Sequence, residues 1–267
     1  MKTGKMRCSM TTERDLLTAR IFLRALFPVM KVVLSDMPKM KKRFEGVTAK
    51  IQFAAKNGDG ELGAYLDFKD GELEIMQGIC DNPEIRFGFN SVKKMNDMLA
   101  GKPVIPKIKG LTKIGLLIKV FSLLLSLKIL MPNAKPKAED KKRLKIKMTI
   151  YMITTALSQY NKGGDPEMVR WTSKQPERIY QMSVENEDIA AYFRVKAGKS
   201  KAGRGFYKKR RPFVHMKFNG IDGALPVMLN EVNMVDAVKN RFLSVEGSPE
   251  YGRDIGDFMM RIQNMIM

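Results

Sequence analysis

The chain carries the same ordered pattern twice. Ile85, Phe87 and Phe89 alternate into Asn90 and then a helical stretch closing on Met98 and Leu99; Val214, Met216 and Phe218 alternate into Asn219 and a stretch closing on Met228 and Leu229. Ile108-Lys109-Gly110 is echoed by Val245-Glu246-Gly247, each before an apolar helical run. Upstream, Ala64-Tyr65-Leu66-Asp67-Phe68 is echoed by Ala191-Tyr192-Phe193-Arg194-Val195. Matches in one order over so long a span predict two copies of one domain. A chain of 267 residues, 44% of them apolar, has material for two ordinary domains, each with its own core.

Periodicity gives the content of each copy. Apolar spacing over 16–33 predicts a helix, kinked at Pro28, with Arg20, Arg24 and Lys31 along one side. Ser35 and Asp36 cap a shorter helix ending near Gly46. Strands follow at 49–55 and 62–68, joined by Asn57-Gly58-Asp59-Gly60, and Asp70-Gly71 turns into a third at 72–77. A strand at 85–89, a helix at 92–100, a strand at 107–110 and a helix at 116–130 complete the copy. The second copy reads as a helix at 148–160, strands at 179–184 and 189–195, a turn at 198–203, strands at 205–209 and 213–218, and helices at 224–229 and 254–266. Strand runs followed by helices predict an α+β class, each domain a mostly antiparallel sheet covered on one face by helices. Residues 132–147, with Pro132, Pro136 and a run of Lys and Arg, read as a basic linker between domains 1–131 (core 35–131) and 148–267.

Charge narrows the partners. The net charge is +20, from 23 basic and 13 acidic residues through Met131 and 25 and 15 after it. Two basic domains, rather than a basic tail, point to anionic partners: lipid headgroups, phosphate-bearing ligands or nucleic acid. Cys8 and Cys80 have no metal-like spacing, and a reducing cytoplasm is the expected setting. The run 21–34 is broken by Arg24, Pro28 and Lys31 and makes a poor signal peptide. The run 114–131 is interrupted by Lys119 and Lys128, so no transmembrane helix is expected.

The residues of catalysis are sparse. The one histidine, His215, sits in a strand beside Lys217 with no local nucleophile and orienting acid, and reads as structural. No glycine-rich phosphate loop occurs. Asp67, Asp70, Glu72 and Glu74 cluster around hairpin turns, where solvation is expected rather than a metal. The sequence therefore predicts no enzyme, no metal and no cofactor.

The segment GVTAKIQFAAKNGDGELGAYLDFKDGELEIMQG, then PEIRFGFNSVKKMNDMLAGK, then KIKG before an apolar helix, resembles the sterol carrier protein type 2 family. Met98-Leu99-Ala100-Gly101-Lys102 and Ile108-Lys109-Gly110 carry the likeness, which covers about 35–131. The second copy, about 148–267, matches more loosely, with Glu231 where the first has a glycine. The resemblance implies helices over one sheet face around an apolar tunnel that binds fatty acid, acyl-CoA or sterol and moves it between membranes. It also implies that some such domains are instead rigid interaction or dimerisation modules. No catalytic residue is carried over.

The expected lining of the first tunnel is Phe53, Leu66, Phe68, Phe87 and Phe89 from the sheet, Met95, Met98 and Leu99 from one helix, and Leu116, Leu117 and Leu124 from a lid helix. In the second copy Phe193, Met216, Phe218, Met228, Leu229, Phe258 and Met259 take these places. Unbranched, polarizable methionines suit a cavity for ligands of variable shape, and a plainly packed core uses the same pattern. A basic segment at 196–211 holds Lys199, Lys201, Arg204, Lys208, Lys209, Arg210 and Arg211, with Phe206 and Tyr207 interleaved. This segment is expected to contact an anionic membrane; binding of nucleic acid is the alternative.

Overall fold

The computed structural model describes residues 11–266. Its first elements are α1 (Glu13–Ile21), a π-helical turn (Phe22–Leu26), α2 (Phe27–Asp36) and α3 (Pro38–Phe44). Thr12 caps α1: its hydroxyl accepts from the Asp15 N–H while the Asp15 carboxylate takes up the Thr12 N–H. The kink expected at Pro28 is resolved one turn earlier. Proline has no N–H to donate and crowds the carbonyl four residues back. The wider turn at 22–26 lets Pro28 enter in the first turn of α2, so the chain continues as helix.

The first sheet contains β1 (Ala49–Asn57), β2 (Gly60–Lys69), β3 (Glu72–Gln77), β4 (Ile85–Phe89) and β5 (Lys107–Lys109), with α4 (Val92–Leu99) and α5 (Ile114–Ser126) after β4 and β5. The strand order is β3-β2-β1-β4-β5. β1 runs antiparallel to β2, with Ile51 opposite Leu66, and parallel to β4, with Phe53 opposite Phe87. The sheet is therefore mixed around its central strand. That register places Ile51, Phe53, Leu66, Phe68, Ile85 and Phe87 together in the buried core.

The second half is built from α6 (Glu139–Lys162), α7 (Pro166–Ser173), β6 (Arg178–Val184), β7 (Ile189–Lys196), β8 (Lys199–Arg204), β9 (Val214–Phe218), α8 (Gly220–Met228), α9 (Met234–Lys239), β10 (Leu243–Gly247) and α10 (Pro249–Ile266). Its order, β10-β9-β6-β7-β8, is the first sheet's order read from the other edge, with the parallel pair again at the centre, between β6 and β9. The strand expected at 205–209 lies earlier, as β8. Ala197 and Gly198, both at positive φ, make a two-residue turn between the paired residues Lys196 and Lys199. Asp70 and Gly71 make the same turn between Lys69 and Glu72. An alanine in that place hid the hairpin from a reading based on turn residues.

The expected linker is corrected as well. Residues 139–147 are the first turns of α6, leaving 132–138 outside regular structure. The helix starts early because it has apolar side chains for two cores. Leu144 and Met148 join the first core; Ile146, Ile150, Ala156 and Leu157 join the second. The N-terminal helices do likewise, with Phe22, Leu23 and Phe27 in the first core and Ile21 and Ala25 in the second. Polar groups fix this shared layer. Lys147 donates to Asp36 at 2.6 Å, and Arg143 stands 3.7 Å from the same carboxylate. Lys145, 1% exposed, donates to the carbonyls of Ile129 and Met131, each at 2.8 Å.

Among the described residues no helix is long and apolar enough to cross a membrane. Cys80 is a half-buried free thiol; Cys8 lies outside the described residues.

Candidate functional site

The residues expected to line a first tunnel are packed on one another. Phe53, Leu66, Phe68, Phe87, Phe89 and Met95 are buried, and Met98, Leu99, Leu116, Leu117 and Leu124 are partly buried against them. Phe27 of α2 meets Phe53 edge-on with centroids 5.1 Å apart. Phe53 stacks on Phe87 at 4.8 Å, and Phe87 meets Phe121 of α5 edge-on at 5.7 Å. Phe44 stacks on Phe68 at 4.8 Å. Aromatic contact thus runs from α2 across the sheet to α5. In the second half Phe193, Met216, Phe218 and Phe258 are buried, Met228 and Met259 are packed against them, and Leu229 is half-buried at the end of α8. Phe258 meets Trp171 edge-on at 5.4 Å and shares with it a small cleft of about 390 Å³.

Helix α5 is two-faced. Val120 and Leu123 are fully buried, and Leu127 just beyond the helix is buried too. Ile114, Ile118, Phe121 and Leu125, spaced four, three and four residues apart, are 64%, 60%, 40% and 56% exposed. At 3.6 residues per turn these four fall on one stripe. The helix expected as a lid thus covers the core with one face and leaves the other to solvent. Lys113 precedes the helix, Lys119 lies within it on a different side from the stripe, and Lys107 and Lys109 are exposed on the edge strand β5. None of these lysines has an ion-pair partner among the described residues.

The basic segment is split by the fold. Arg210 stands 3.7 Å from Glu177, which also binds Arg194 at 2.8 Å. Hydrogen bonding from Arg194, then the charges of Arg194, Arg210 and Lys196, hold the Glu177 carboxyl below its usual range against burial. Arg204 donates to the Pro28 carbonyl at 3.1 Å and lies over the Tyr151 ring, so it serves contact between the halves. Lys199, Lys201, Lys208, Lys209 and Arg211 are exposed without carboxylate partners among the described residues, beside a Phe206 ring that is 55% exposed.

His215 Nε2 lies 2.8 Å from the Ser183 hydroxyl. Burial, then the nearby Lys217 charge, lowers its pKa, so the ring is neutral at pH 7. Glu246 faces His215 across the strands, but its carboxylate is bound by Lys217. The pair thus lacks a carboxylate hydrogen-bonded to the imidazole, and it supports the strand rather than activating the serine. Around the β2–β3 turn, Lys69 stands 3.7 Å from Asp67 and 4.0 Å from Glu74.

Two sets of residues escaped the sequence reading. Gln52 and Gln181 are buried polar groups within apolar strands, and a polar residue at an otherwise apolar strand position was the available signal. Arg14, Lys162 and Arg261 join Arg20 and Arg24 only through folding, around a cleft of about 1100 Å³ between the halves.

No family model matches the chain, and no curated protein matches it. Among solved structures, the chain is similar to the stereoselective inverting sec-alkylsulfatase Pisa1 from Pseudomonas sp., with TM-score 0.25 and 11% identity over 55% of this chain and 28% of that one. A double mutant of that sulfatase gives TM-score 0.27 and 10% identity over 54% and 28%. The chain thus spans little more than a quarter of the length of these solved chains. They are structures of an enzyme, against the expectation that this chain is none. At such TM-scores they carry no argument for a particular fold or reaction.

Proposed function

We propose that the protein handles lipids at anionic membrane surfaces, docking through the exposed face of α5, and that its halves are two copies of a sterol-carrier-like domain. The observation that carries the docking is the exposed apolar stripe Ile114, Ile118, Phe121 and Leu125, with the unpaired Lys113 at the start of the helix. A contiguous exposed apolar stripe is costly in water. Laid into a bilayer interface, half-exposed side chains of this size contribute about 1 kcal/mol each. Each lysine at an anionic surface contributes about 1 kcal/mol more. The stem of Lys113, at the start of the helix, can follow the apolar surface while its ammonium group reaches the headgroups. The shared strand order and the parallel central pair support the two-copy reading.

Vesicle co-sedimentation tests the docking. The protein is expected to sediment with phosphatidylcholine vesicles containing phosphatidylserine and to stay in solution with phosphatidylcholine alone. Ile114→Asp or Ile118→Asp is expected to abolish sedimentation with the melting temperature kept. Unchanged sedimentation of both variants overturns the role of α5. The exposed cations from Lys199 to Arg211, with Phe206 among them, support a second reading, binding of nucleic acid. A gel shift on RNA or DNA that is lost when Lys208, Lys209, Arg210 and Arg211 become serine, with no sedimentation on anionic vesicles, would favour it.

A further inference from the structure

The cleft between the halves is bounded by α1 and the π-helical turn on one side, the ends of β1, β2 and β3 on another, and the ends of α6 and α10 on a third. Arg14, Arg20, Arg24, Lys162 and Arg261 line it, against two carboxylates, Glu13 and Asp165. Arg261 is paired with Glu167 at 2.6 Å. The other four cations have no carboxylate partner among the described residues. The Nε of Arg20 is buried there without a hydrogen-bond acceptor. Burial, then the like charge of Arg24, lowers the Arg20 pKa. Arg20 is half-buried beside the exposed Arg14, Arg24, Lys162 and Arg261, so an anion entering the cleft meets a concentrated positive field. Arginine presents a planar fork of donors that fits the oxygens of a carboxylate or phosphate.

The remaining wall has the opposite character, with Leu16, Leu17, Leu23, Leu62 and Met265 lining the same space. A free inorganic anion has no use for such a wall. The volume of about 1100 Å³ lies just above the roughly 300–1,000 Å³ usual for small-molecule sites. We infer that this cleft binds a single-chain anionic lipid, its phosphate or carboxylate head held by Arg20 and Arg24 and its chain laid along the leucines. This inference rests on the lipid-handling reading but places the ligand away from α5 and outside both packed cores. Arg20 and Arg24 belong to the cationic stripe visible in the sequence, and folding supplies the apolar wall opposite.

Calorimetric titration of the full chain with myristoyl lysophosphatidic acid, below its micellar concentration and without vesicles, tests the site. One lipid per chain is expected. Inorganic phosphate and the neutral monomyristoylglycerol are each expected to bind at least 100-fold more weakly. Arg24→Gln and Lys162→Gln, both exposed side chains, are expected to weaken lysophosphatidic acid at least tenfold, and Arg20→Gln more if it folds. Absence of binding to the unaltered protein, or unchanged affinity in both exposed variants, overturns the site. Phosphate binding as tightly as the lysolipid overturns the lipid assignment in favour of a free anion, and equal binding of the neutral lipid overturns the role of the arginines. Ile118→Asp is expected to bind the lysolipid normally, so failure of the cleft and failure of membrane docking give different results.

Discussion

Gln52 and Gln181 hold the same place in two different sheets. The Gln52 side-chain amide donates to the carbonyls of Phe53, Ala64 and Gly78 at 2.8–3.1 Å, and its oxygen accepts the N–H of Cys80 at 2.8 Å. The Gln181 amide donates to Met182, Ala191 and Gly205 at 2.8–3.3 Å, and its oxygen accepts the N–H of Tyr207 at 3.0 Å. Each glutamine ties the central strand to its hairpin partner and to the loop that crosses behind it. Both are buried, so the bonds they make replace water that cannot reach these groups.

Gln52→Leu and Gln181→Leu are each expected to destabilise the protein by about 2–4 kcal/mol. Either change leaves buried carbonyls and one N–H without partners, at about 1–3 kcal/mol per group. Urea denaturation measures the loss. A change under 0.5 kcal/mol at either site would mean that the loops rearrange to satisfy themselves.

Gly110 and Gly247 form a second matched pair. Their φ angles are +87° and +98°, and a Cβ at either would stand 2.0 Å from a backbone oxygen, of Glu84 and of Phe213 respectively. Backbone cannot swing aside as a side chain can. Gly110→Ala and Gly247→Ala should therefore each cost more than about 2 kcal/mol. Thermal melts of the two single variants check this, and wild-type stability in either would contradict the close approach.

Asp36 gives an acid-side prediction. Burial alone would raise its carboxyl, but hydrogen bonds from Lys147 and Ser35 and the charges of Lys147 and Arg143 outweigh burial and hold it below 3.8. A depressed carboxyl contributes stability that is present above its unfolded value and is lost as pH falls through the folded one. Asp36→Asn should cost about 1–3 kcal/mol at pH 7 and nearly nothing once the pH is well below the folded pKa. Denaturation of both proteins at a series of pH values from 7 downward tests this: the difference between them should shrink as the pH falls.

Lys145 acts on the alkaline side. Burial pulls its pKa down from 10.5 to about 8. Between those values the unfolded chain binds the proton and the folded chain does not, so this residue's contribution to stability rises with pH across that window. The stability difference between the native protein and Lys145→Met should move in favour of the native protein from pH 8 to pH 10.5. A flat difference in paired melts would place the titration elsewhere.

Alternation of Ile85, Phe87 and Phe89, and the Gly58 and Gly71 turns, made the first sheet legible residue by residue, because half-buried strands and tight turns leave local marks. The exposed side of α5 was not legible. An all-apolar run does not say which of its faces meets solvent. Helix α6 was misread at its start because Lys141, Lys142 and Arg143 look like a solvated hinge, while Leu144 and Ile146 among them are buried in two different cores. The cleft cations come from α1, the π-helical turn, α6 and α10, and no local pattern joins residues that only tertiary packing brings together.

The placement of Leu144 and Met148 has a consequence for how the protein is made. Synthesis proceeds from the N-terminus, and the first sheet is complete once Lys109 has emerged, yet its core lacks two side chains carried by a helix that begins thirty residues later. Ile21 and Ala25, already made, wait for a second sheet that closes only with β10. A ribosome stalled after Met131 would therefore hold a chain with apolar surface bare on both sides of its N-terminal helices. Such a chain is a natural client for chaperones, and the native protein should melt in one transition rather than two.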